Sequence, residues 1–487
     1  KDNLVTSCNT KVKEGMVIST MSEKVVKSRK QVLNLLLANH DVRCFSCGKS
    51  GECKLQELSD EYEITQSCYK ADAAKIPAKK ENPFLTYYPE LCINCQRCVS
   101  TCNKRAGNGV LHNGKIGTRT LIDAPFGEDW KVTDCESCGN CAAACPTGAL
   151  IAKNHKNYRV GQVKKVLTTC PHCAVGCQYD LLVKSGRIVG TEAADGPSNH
   201  GMLCVKGRFA SYNFVHSEDR LTDPLIKNRE TGEFRKASWD EALDEVEYKM
   251  KKIRDEYGAE AMVFGQGTGR DAGGSLIFLA YAYGSPNWTL FGLSGIACFT
   301  PRLAAMSMVA GDIQFEDAAQ CSPERYDDPE FKVPELMIIW GRGTRGSQCA
   351  DHYYSSHFVI DLMKRGAKVI VIDPRQTWLS TRAEMWLQLR PGTDAAMALG
   401  MMNVIINEDL YDHEFVEKWT YGFDELKERV QEYTPEKVSE ITWVPAEDII
   451  EAARMYAKAK PASIRWGQPL DSNANSIGTI QALNCLW

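Results

Sequence analysis

The sequence lacks any apolar run long enough to cross a bilayer, which takes about 20 residues in a helix. Stretches such as PELMIIWG are much shorter than that. An excess of positive charge is also missing, because 58 Lys and Arg oppose 62 Asp and Glu and no long basic run occurs. These absences predict no direct membrane span and argue against nucleic acid as a partner.

Cysteine, in contrast, is abundant. Of the 21 cysteines, all but Cys298, Cys321, Cys349 and Cys485 lie at or before Cys204, many of them in CxxC repeats. Disulfide-dense chains are usually small secreted domains, whereas this length favours about three domains. The crowding therefore predicts metal ligation in a reducing compartment and not a disulfide framework.

The first group of ligands is HDVRCFSCGKSGEC, which contains His40, Cys44, Cys47 and Cys53. Four such side chains close together in sequence can surround one metal centre. A set of three cysteines and one histidine also binds zinc. The residues alone leave zinc and an iron–sulfur cluster open.

Two further runs, CINCQRCVSTC and CESCGNCAAACP, share C-x2-C-x2-C-x3-C spacing. This spacing is the signature of a two-cluster ferredoxin, in which the fourth cysteine of each run ligates the other cluster. Pro146 follows the second run, as in that signature, but Asn103 follows the first. The predicted ligand sets are Cys92, Cys95, Cys98 and Cys145 for one cluster, and Cys135, Cys138, Cys141 and Cys102 for the other.

The stretch CPHCAVGC supplies Cys170, Cys173 and Cys177, and the later GMLCVKGR offers Cys204 as a fourth ligand. Cys68 has no partner pattern, which favours a buried thiol.

From about residue 235 the pattern changes to helices that alternate with short apolar strands. SWDEALDEVEYKMKKIRDEYG predicts a helix with Ser238 as N-cap and Glu241 completing a capping box. AMVFGQGTG, PELMIIWGRGTRGS and KVIVIDPR predict strands, and HFVIDLMKRG predicts a helix. The alternation favours parallel sheets with helices on both faces. Glycines after these strands would let phosphate approach the backbone, although none completes the G-x-G-x-x-G fingerprint of nicotinamide sites.

These motifs together resemble the molybdopterin oxidoreductases of the dimethyl sulfoxide reductase superfamily. C-x2-C-x3-C-x26-C is similar to their N-terminal cluster motif, and H-x3-C-x2-C-x5-C is similar to the large iron–sulfur subunit of complex I and of NAD-linked formate dehydrogenases. On that resemblance Cys8 is the last ligand of a [2Fe–2S] site whose other ligands would precede Lys1. The implied cofactors are four [4Fe–4S] clusters, the partial [2Fe–2S] site, and Mo or W with two molybdopterin guanine dinucleotides.

The resemblance also implies roles for individual residues, most of which lie in WTLFGLSGIACFTPRLAAM and in the glycine turns. Lys206 would lie between cluster and pterin, unless it is a solvated lysine, and Cys298 would ligate Mo or W, unless it is a buried thiol. Phe299 stands where formate dehydrogenases usually place a histidine, and Ala174 stands where acetylene hydratase, a tungsten member, has its catalytic aspartate. The implied contacts to pyrophosphate, ribose or guanine are Gly341, Gly343, Thr344, Asp373, Arg375, Asp394 and Gly467, each of which could otherwise belong to an ordinary turn.

The expected fold is an α/β and α+β multidomain chain with ferredoxin-like iron–sulfur modules before the molybdopterin α/β domains. The predicted domains are a [2Fe–2S] remnant at 1–35, the histidine- and cysteine-ligated [4Fe–4S] module at 36–80, the two-cluster ferredoxin at 81–160, a further [4Fe–4S] domain at 161–225 and the catalytic region at 226–487.

The function implied is that of a formate dehydrogenase-like catalytic subunit of a soluble cytoplasmic complex in an anaerobic prokaryote. It would act on a small substrate and exchange electrons with flavin/NAD- or ferredoxin-linked subunits. A hydratase, a hydroxylase, and an electron-transfer scaffold with a decayed pterin site remain alternatives.

Overall fold

The computed structural model describes residues 3–69, 82–114, 120–153, 162–173, 175–210, 212–266, 273–289, 300–312, 323–343 and 352–487. The chain divides into two compact units. Unit 1 comprises Lys1–Ser217 with Thr344–Ile360, and unit 2 comprises Glu218–Gly343 with Asp361–Trp487. None of the described helices combines the length and apolarity that a membrane crossing requires.

Unit 1 begins its regular structure with helix α1, Glu23–Ala38, for which the Ser22 hydroxyl accepts a hydrogen bond from the Val25 amide at 3.4 Å. Such a cap satisfies one of the free amides at the start of a helix. Helix α2, Lys54–Glu61, follows. Apolar residues of both helices, including Leu37 and Leu55, form a small core beside the first ligand group.

The middle of unit 1 consists of short elements around a core that contains cysteine side chains. Cys98 and Cys145 are buried there among apolar residues such as Leu85, Tyr87 and Trp130. The strands are β1 (Leu85–Tyr87), antiparallel to β4 (Leu150–Ala152), and β2 (His112–Asn113), antiparallel to β3 (Ile122–Asp123); the helices are α3 (Arg97–Ser100) and α4 (Asn140–Ala144).

A three-stranded antiparallel sheet completes unit 1, in the order β5 (Lys164–Thr169), β6 (Gln178–Lys184) and β7 (Arg187–Ala193). The π-helical turn Lys206–Ala210 packs on β7, where the Thr191 hydroxyl donates to the carbonyls of Gly207 and Arg208 at 3.1 and 2.9 Å. The segment after Cys204 is thereby fixed to the sheet.

Unit 2 opens with a hairpin, β8 (Leu225–Lys227) and β9 (Phe234–Lys236), and helix α5, Trp239–Tyr257. The predicted cap is confirmed. The Ser238 hydroxyl accepts from the Glu241 amide at 3.1 Å, and the Glu241 carboxylate accepts from the guanidinium of Arg235 and the backbone of Ser238.

Parallel pairing dominates the rest of unit 2, as predicted. β10 (Phe264–Gly265) pairs with β11 (Trp288–Thr289), and a four-stranded parallel sheet has the order β14-β13-β12-β15. Its strands are β12 (Leu336–Trp340), β13 (Lys368–Ile372), β14 (Met385–Leu387) and β15 (Ala462–Trp466). The strand order reverses between β12 and β15, and ligands of such sheets bind beyond the carboxyl ends of the strands at that point.

Further helices follow α5 along the chain. They are α6 (Gly273–Tyr283), α7 (Thr300–Ala310), α8 (His352–Lys364), α9 (Asp394–Asn407), α10 (His413–Trp419), α11 (Phe423–Val430), α12 (Pro435–Thr442), α13 (Ala446–Lys458) and α14 (Ser476–Leu486), of which α8 begins in the segment of unit 1 and ends in unit 2. Helix α9 is almost entirely buried and contacts α12, α13 and α14. The sheet and α9 therefore form the core of unit 2.

Candidate functional site

Four cavities in unit 1 are each lined by one of the four-ligand groups expected from the sequence. The first, here the histidine cavity, measures about 270 Å³ and is lined by His40, Cys44, Cys47 and Cys53. Nδ1 of His40 is buried and makes no hydrogen bond. Burial lowers the pKa of the His40 imidazole, and the ring also hydrogen-bonds the Leu91 backbone. A neutral ring anchored through one nitrogen, with the other nitrogen unpaired, is the form that ligates metals.

The two ferredoxin runs wrap around two separate cavities. The first ferredoxin cavity, of about 320 Å³, is lined by Cys92, Cys95, Cys98 and Cys145. The second ferredoxin cavity, of about 380 Å³, is lined by Cys102, Cys135, Cys138 and Cys141. The fold thus places the fourth cysteine of each run with the other run.

Matching backbone turns shape the two runs. Asn94 and Gln96 have φ values of 53° and 62°, and their counterparts Ser137 and Gly139 have 54° and 74°. Left-handed residues between the cysteines turn the chain sharply, so that successive thiols face the same cavity.

The fourth, the lysine cavity, is lined by Cys170, Cys173, Cys177 and Cys204, and also by Lys206. It measures about 740 Å³, including open solvent. Burial raises the pKa of the Cys177 thiol to about 12, and the other three thiolates raise it further. Lys206 therefore lies beside this ligand group, as the resemblance implies.

The donor sets fit polynuclear clusters better than single ions. Burial raises the pKa of the Cys98 thiol to about 12 and that of Cys138 to about 11, and neighbouring thiolates add to both effects. Thiolates gathered in this way need a cationic group to hold them in the charged form. Among the residues that the structure describes, no three His, Cys, Asp or Glu side chains converge closely enough to bind one ion. The cysteines instead surround cavities, with one four-ligand group around each.

Neighbouring cavities share walls. The loop after Cys145 lines the first ferredoxin cavity, and its Gly148 lines the histidine cavity. A Cβ on Gly148 would overlap the sulfur of Cys47. On the other side, Cys138 and Asn140 line both the second ferredoxin cavity and the lysine cavity. The two ferredoxin groups meet in one core, where Cys102, Cys135 and Cys141 pack against a cluster that contains Cys98 and Cys145, so unit 1 contains a contiguous series of ligand groups.

In unit 2, Gly341 and Gly467 meet where the strand order of the parallel sheet reverses. The Gly467 amide donates to the Trp340 carbonyl at 2.9 Å, and the Gly341 amide donates to the Ile372 carbonyl at 2.8 Å. A Cβ on Gly467 would overlap the carbonyl oxygen of Gly341, which itself has a φ of 56°. Both positions require glycine, and both leave backbone at the edge where this type of sheet binds ligands.

Two carboxyl groups lie at the same edge. Asp373 follows β13 and accepts from the Arg375 amide at 2.8 Å, whereas Arg375 itself is exposed. Asp394, at the start of α9, is buried and accepts from the indole of Trp340 at 2.8 Å. Burial raises the pKa of both carboxyls, and the charge of Asp373 adds to the effect on Asp394. Gly343 ends the described part of the turn after β12.

Several expected residues lie elsewhere. Ala174, Cys298, Phe299 and Thr344 fall outside the described residues. Cys8 is exposed, and none of the described ligand groups includes it. Cys68 is also exposed, so the expectation of a buried thiol was wrong; its amide hydrogen-bonds the Asn34 side chain at the end of a surface segment.

The sequence reasoning missed Asn140, Gly148 and Arg208. Asn140 and Arg208 hydrogen-bond to each other across a large sequence separation, for which no local pattern gives a signal. Gly148 follows the second ferredoxin run directly, and its position near Cys145 was the only available hint.

Comparison with protein families agrees with this arrangement. Residues 220–482, more than half of the chain, match the molybdopterin oxidoreductase family. The chain belongs to the molybdopterin oxidoreductases. Residues 163–217 match the Fe4S4 domain of that family, 29–67 match the iron–sulfur binding region of NADH-ubiquinone oxidoreductase G, and 129–151 match a 4Fe–4S binding domain.

Relatives within this family have different activities. Formate dehydrogenase H of Escherichia coli is 33% identical over 66% of this chain and 44% of its own length. The α subunit of NADPH-Fe(3+) oxidoreductase from Geobacter sulfurreducens is 27% identical over 99% of this chain and 55% of its own. The solved structure of acetylene hydratase from Pelobacter acetylenicus is 36% identical, with a TM-score of 0.54, over 66% of this chain and 43% of its own. The chain thus spans about half the length of the relatives it matches.

Proposed function

We propose that this chain is the iron–sulfur and Mo- or W-pterin catalytic subunit of an oxidoreductase complex, with formate and CO2 as its leading substrate pair. The observation that carries the proposal is the series of four ligand-lined cavities in unit 1, which ends beside Lys206. One cluster can be structural, but adjacent ligand groups with shared walls suit electron transfer.

In this proposal the cavities hold four [4Fe–4S] clusters, Cys8 belongs to a [2Fe–2S] site, and Cys298 ligates the metal of a bis-molybdopterin guanine dinucleotide. When bound, the metal–pterin group supplies two-electron chemistry and the clusters supply one-electron transfer. The cysteine thiolates and the neutral His40 ring hold the clusters, and the buried residues Leu85 and Trp130 keep water from the second ferredoxin cavity.

Other residues would bind and orient the pterin nucleotides. Gly341 and Gly467 would let a pyrophosphate approach the backbone, because neither residue itself carries a side chain at the carboxyl edge of the sheet. Gly343 and Thr344 would extend that contact. Asp373, Arg375 and Asp394 would meet ribose or guanine, and Lys206 would supply a fixed positive charge between cluster and pterin.

The proposed partners are electron-transfer subunits that carry flavin and nicotinamide or are linked to ferredoxin. The match of nearly the whole chain to the α subunit of an NADPH-linked oxidoreductase supports this assignment. A hetero-oligomer in the cytoplasm is the setting that such partners favour.

A second candidate is a hydratase, since 38% identity to acetylene hydratase of Syntrophotalea acetylenica extends over 64% of this chain. A hydratase reaction involves no net electron transfer and therefore does not require a series of adjacent cluster sites. The four ligand-lined cavities thus favour the oxidoreductase. Phe299, which stands where formate dehydrogenases usually place a histidine, is compatible with a small substrate other than formate.

The test is anaerobic purification of the complex, followed by metal analysis and EPR spectroscopy after addition of formate. We expect Mo or W at about one atom per chain and about 16 iron atoms for the four cubane sites, with rapid cluster reduction by formate. Clusters that stay oxidised with formate but become reduced by another small donor would overturn the choice of substrate. A preparation rich in iron but free of Mo and W would overturn the catalytic role and leave an electron-transfer scaffold.

A further inference from the structure

Arg208 contacts Cys138 and Asn140, two residues that lie between the second ferredoxin cavity and the lysine cavity. Its Nε donates to the carbonyl of Cys138 at 3.0 Å, and its Nη2 donates to Oδ1 of Asn140 at 2.9 Å. Cys138 and Asn140 both line the two cavities and both bond to this guanidinium. One side chain therefore contacts the wall that the two ligand groups share.

The same wall is tied to the Cys204 segment. Asn140 donates from Nδ2 to the Leu203 carbonyl at 2.9 Å and accepts from the Leu203 amide at 3.1 Å. The Arg208 amide in turn donates to the Cys204 carbonyl at 3.0 Å. These bonds lock the ligand loop that carries Cys138 to the loop that carries Cys204.

The charge of Arg208 acts on thiolates of both cavities. Burial lowers the pKa of the guanidinium, and the charges of Cys138, Cys141, Glu192 and Cys204 oppose that effect. An arginine stays protonated even so. Among the described residues no carboxylate lies within ion-pair distance of Arg208, and the Glu192 carboxylate near it bonds to Lys165 at 2.6 Å.

A fixed cation stabilises the more negative, reduced form of a nearby cluster, the more so the less water screens the charge, and the Arg208 side chain is half-buried. We infer that Arg208, positioned by Asn140, raises the reduction potentials of both clusters that flank it. The inference is built on the proposed cluster assignment. Each reduction adds one electron, supplied in the test by dithionite.

The test is a dithionite titration of the intact complex, followed by EPR, with wild type compared to Arg208→Gln and Arg208→Lys. Signals are assigned with Cys135→Ser and Cys173→Ser, which each alter one of the two sites. Arg208→Gln should lower the reduction equilibrium constants of these two clusters about tenfold, or about 59 mV for a one-electron couple. The histidine-cavity and first ferredoxin clusters should keep their potentials.

Two variants separate charge from structure. Arg208→Lys keeps the charge and should restore most of the shift. Arg187→Gln removes an equal charge from an exposed position at the start of β7, and it should change no potential. Equal shifts in the Gln and Lys variants, or a uniform shift of all clusters, would overturn the inference.

If Arg208→Gln loses iron, Asn140→Asp provides the second test. A carboxylate there still accepts from Arg208 but cancels its charge, so both potentials should fall. Unchanged potentials in Asn140→Asp, or loss of both clusters in both Arg208→Gln and Asn140→Asp, would show that Arg208 and Asn140 have only a structural role. Wild-type iron content with unmoved potentials would refute this inference alone, whereas an iron count far below four clusters would refute the proposed function.

Discussion

At the residue scale, Gly148 shows how closely the ligand groups are packed. Its backbone lies against Cys47 in the wall of the histidine cavity, and a Cβ would overlap that sulfur. The backbone of Gly148 is not in the left-handed region, so the constraint is contact and not torsion.

We therefore expect Gly148→Ala to displace Cys47 and to lose the cluster of the histidine cavity, which is about four iron atoms per chain. Iron analysis and EPR of the purified complex would measure the loss. Gly265→Ala is the matched control, because its Cβ would make an ordinary 3.7 Å contact with Thr289. Full iron content in Gly148→Ala would contradict this prediction, because it would show that the loop can move to accommodate the Cβ without displacing Cys47 from its cluster.

Residue-level chemistry was partly accessible from sequence. Cysteine spacing is local, so the groups expected from the motifs are the groups that line the cavities. The Asn140–Arg208 bond and the Trp340–Asp394 bond join distant segments, and they depend on packing that no motif records. The exposure of Cys68 likewise depends on where its segment lies on the surface.

At the scale of elements, helix α7 begins two residues after Cys298, packs on α14 and carries an ion pair at Arg302. Arg302 donates to both carboxylate oxygens of Asp471, at 3.1 and 2.6 Å, and its guanidinium lies 5.2 Å from the Trp466 ring centre. The Asp471 side chain is only 4% exposed and that of Arg302 is 23% exposed. This pair connects α7 to the turn after β15.

Arg302→Met should destabilise unit 2 by about 3–5 kcal/mol, since it leaves a buried carboxylate without its partner. Burial is the chief cause of the raised pKa of Asp471. In the variant the unpaired carboxyl group becomes charged as the pH rises through that pKa, and the folded protein then loses stability relative to the unfolded chain. The loss should therefore be larger at neutral than at acid pH. Chemical unfolding followed by tryptophan fluorescence at several pH values would measure both effects.

The double variant Arg302→Met with Asp471→Leu is the control, because replacing both charges with apolar groups removes the desolvation cost. Its stability should return close to that of wild type. A double variant as unstable as the single one would mean that α7 depends on packing and not on the ion pair.

Element types were the most predictable part of the fold. The capping box at Ser238 and Glu241 and the buried run at β12 mark their elements through local chemistry and periodicity. Strand order was not predictable, since β15 reaches β12 only after a long series of helices. The reversal of strand order, and with it the contact of Gly341 with Gly467, appears only in three dimensions.

At the scale of the whole molecule, the two units differ in what fills their cores. Cys98 and Cys145 are part of the main core of unit 1, with further cysteines packed against them. The described core around the parallel sheet of unit 2 consists of aliphatic and aromatic residues without cysteine. Metal removal should therefore affect the units unequally, because metal binding is coupled to folding where the ligands are part of the core.

We expect anaerobic treatment with chelator and reductant to abolish amide protection in β1 and β4 while β12 and β13 stay protected. Hydrogen exchange followed by mass spectrometry would show the difference peptide by peptide. A sample carried through the same steps without chelator is the control. Equal loss of protection in both units would contradict the separation of their cores.

The interleaving of the ferredoxin cysteines determines the order in which the cavities can close during translation. Cys92 emerges from the ribosome early, yet its cavity is closed by Cys145, and the cavity begun by His40 is walled by Gly148. None of the first three cavities can close before the second cysteine run has been translated. On the proposed cluster assignment, insertion at these sites comes late in synthesis, and insertion at the lysine cavity comes later still, after Cys204.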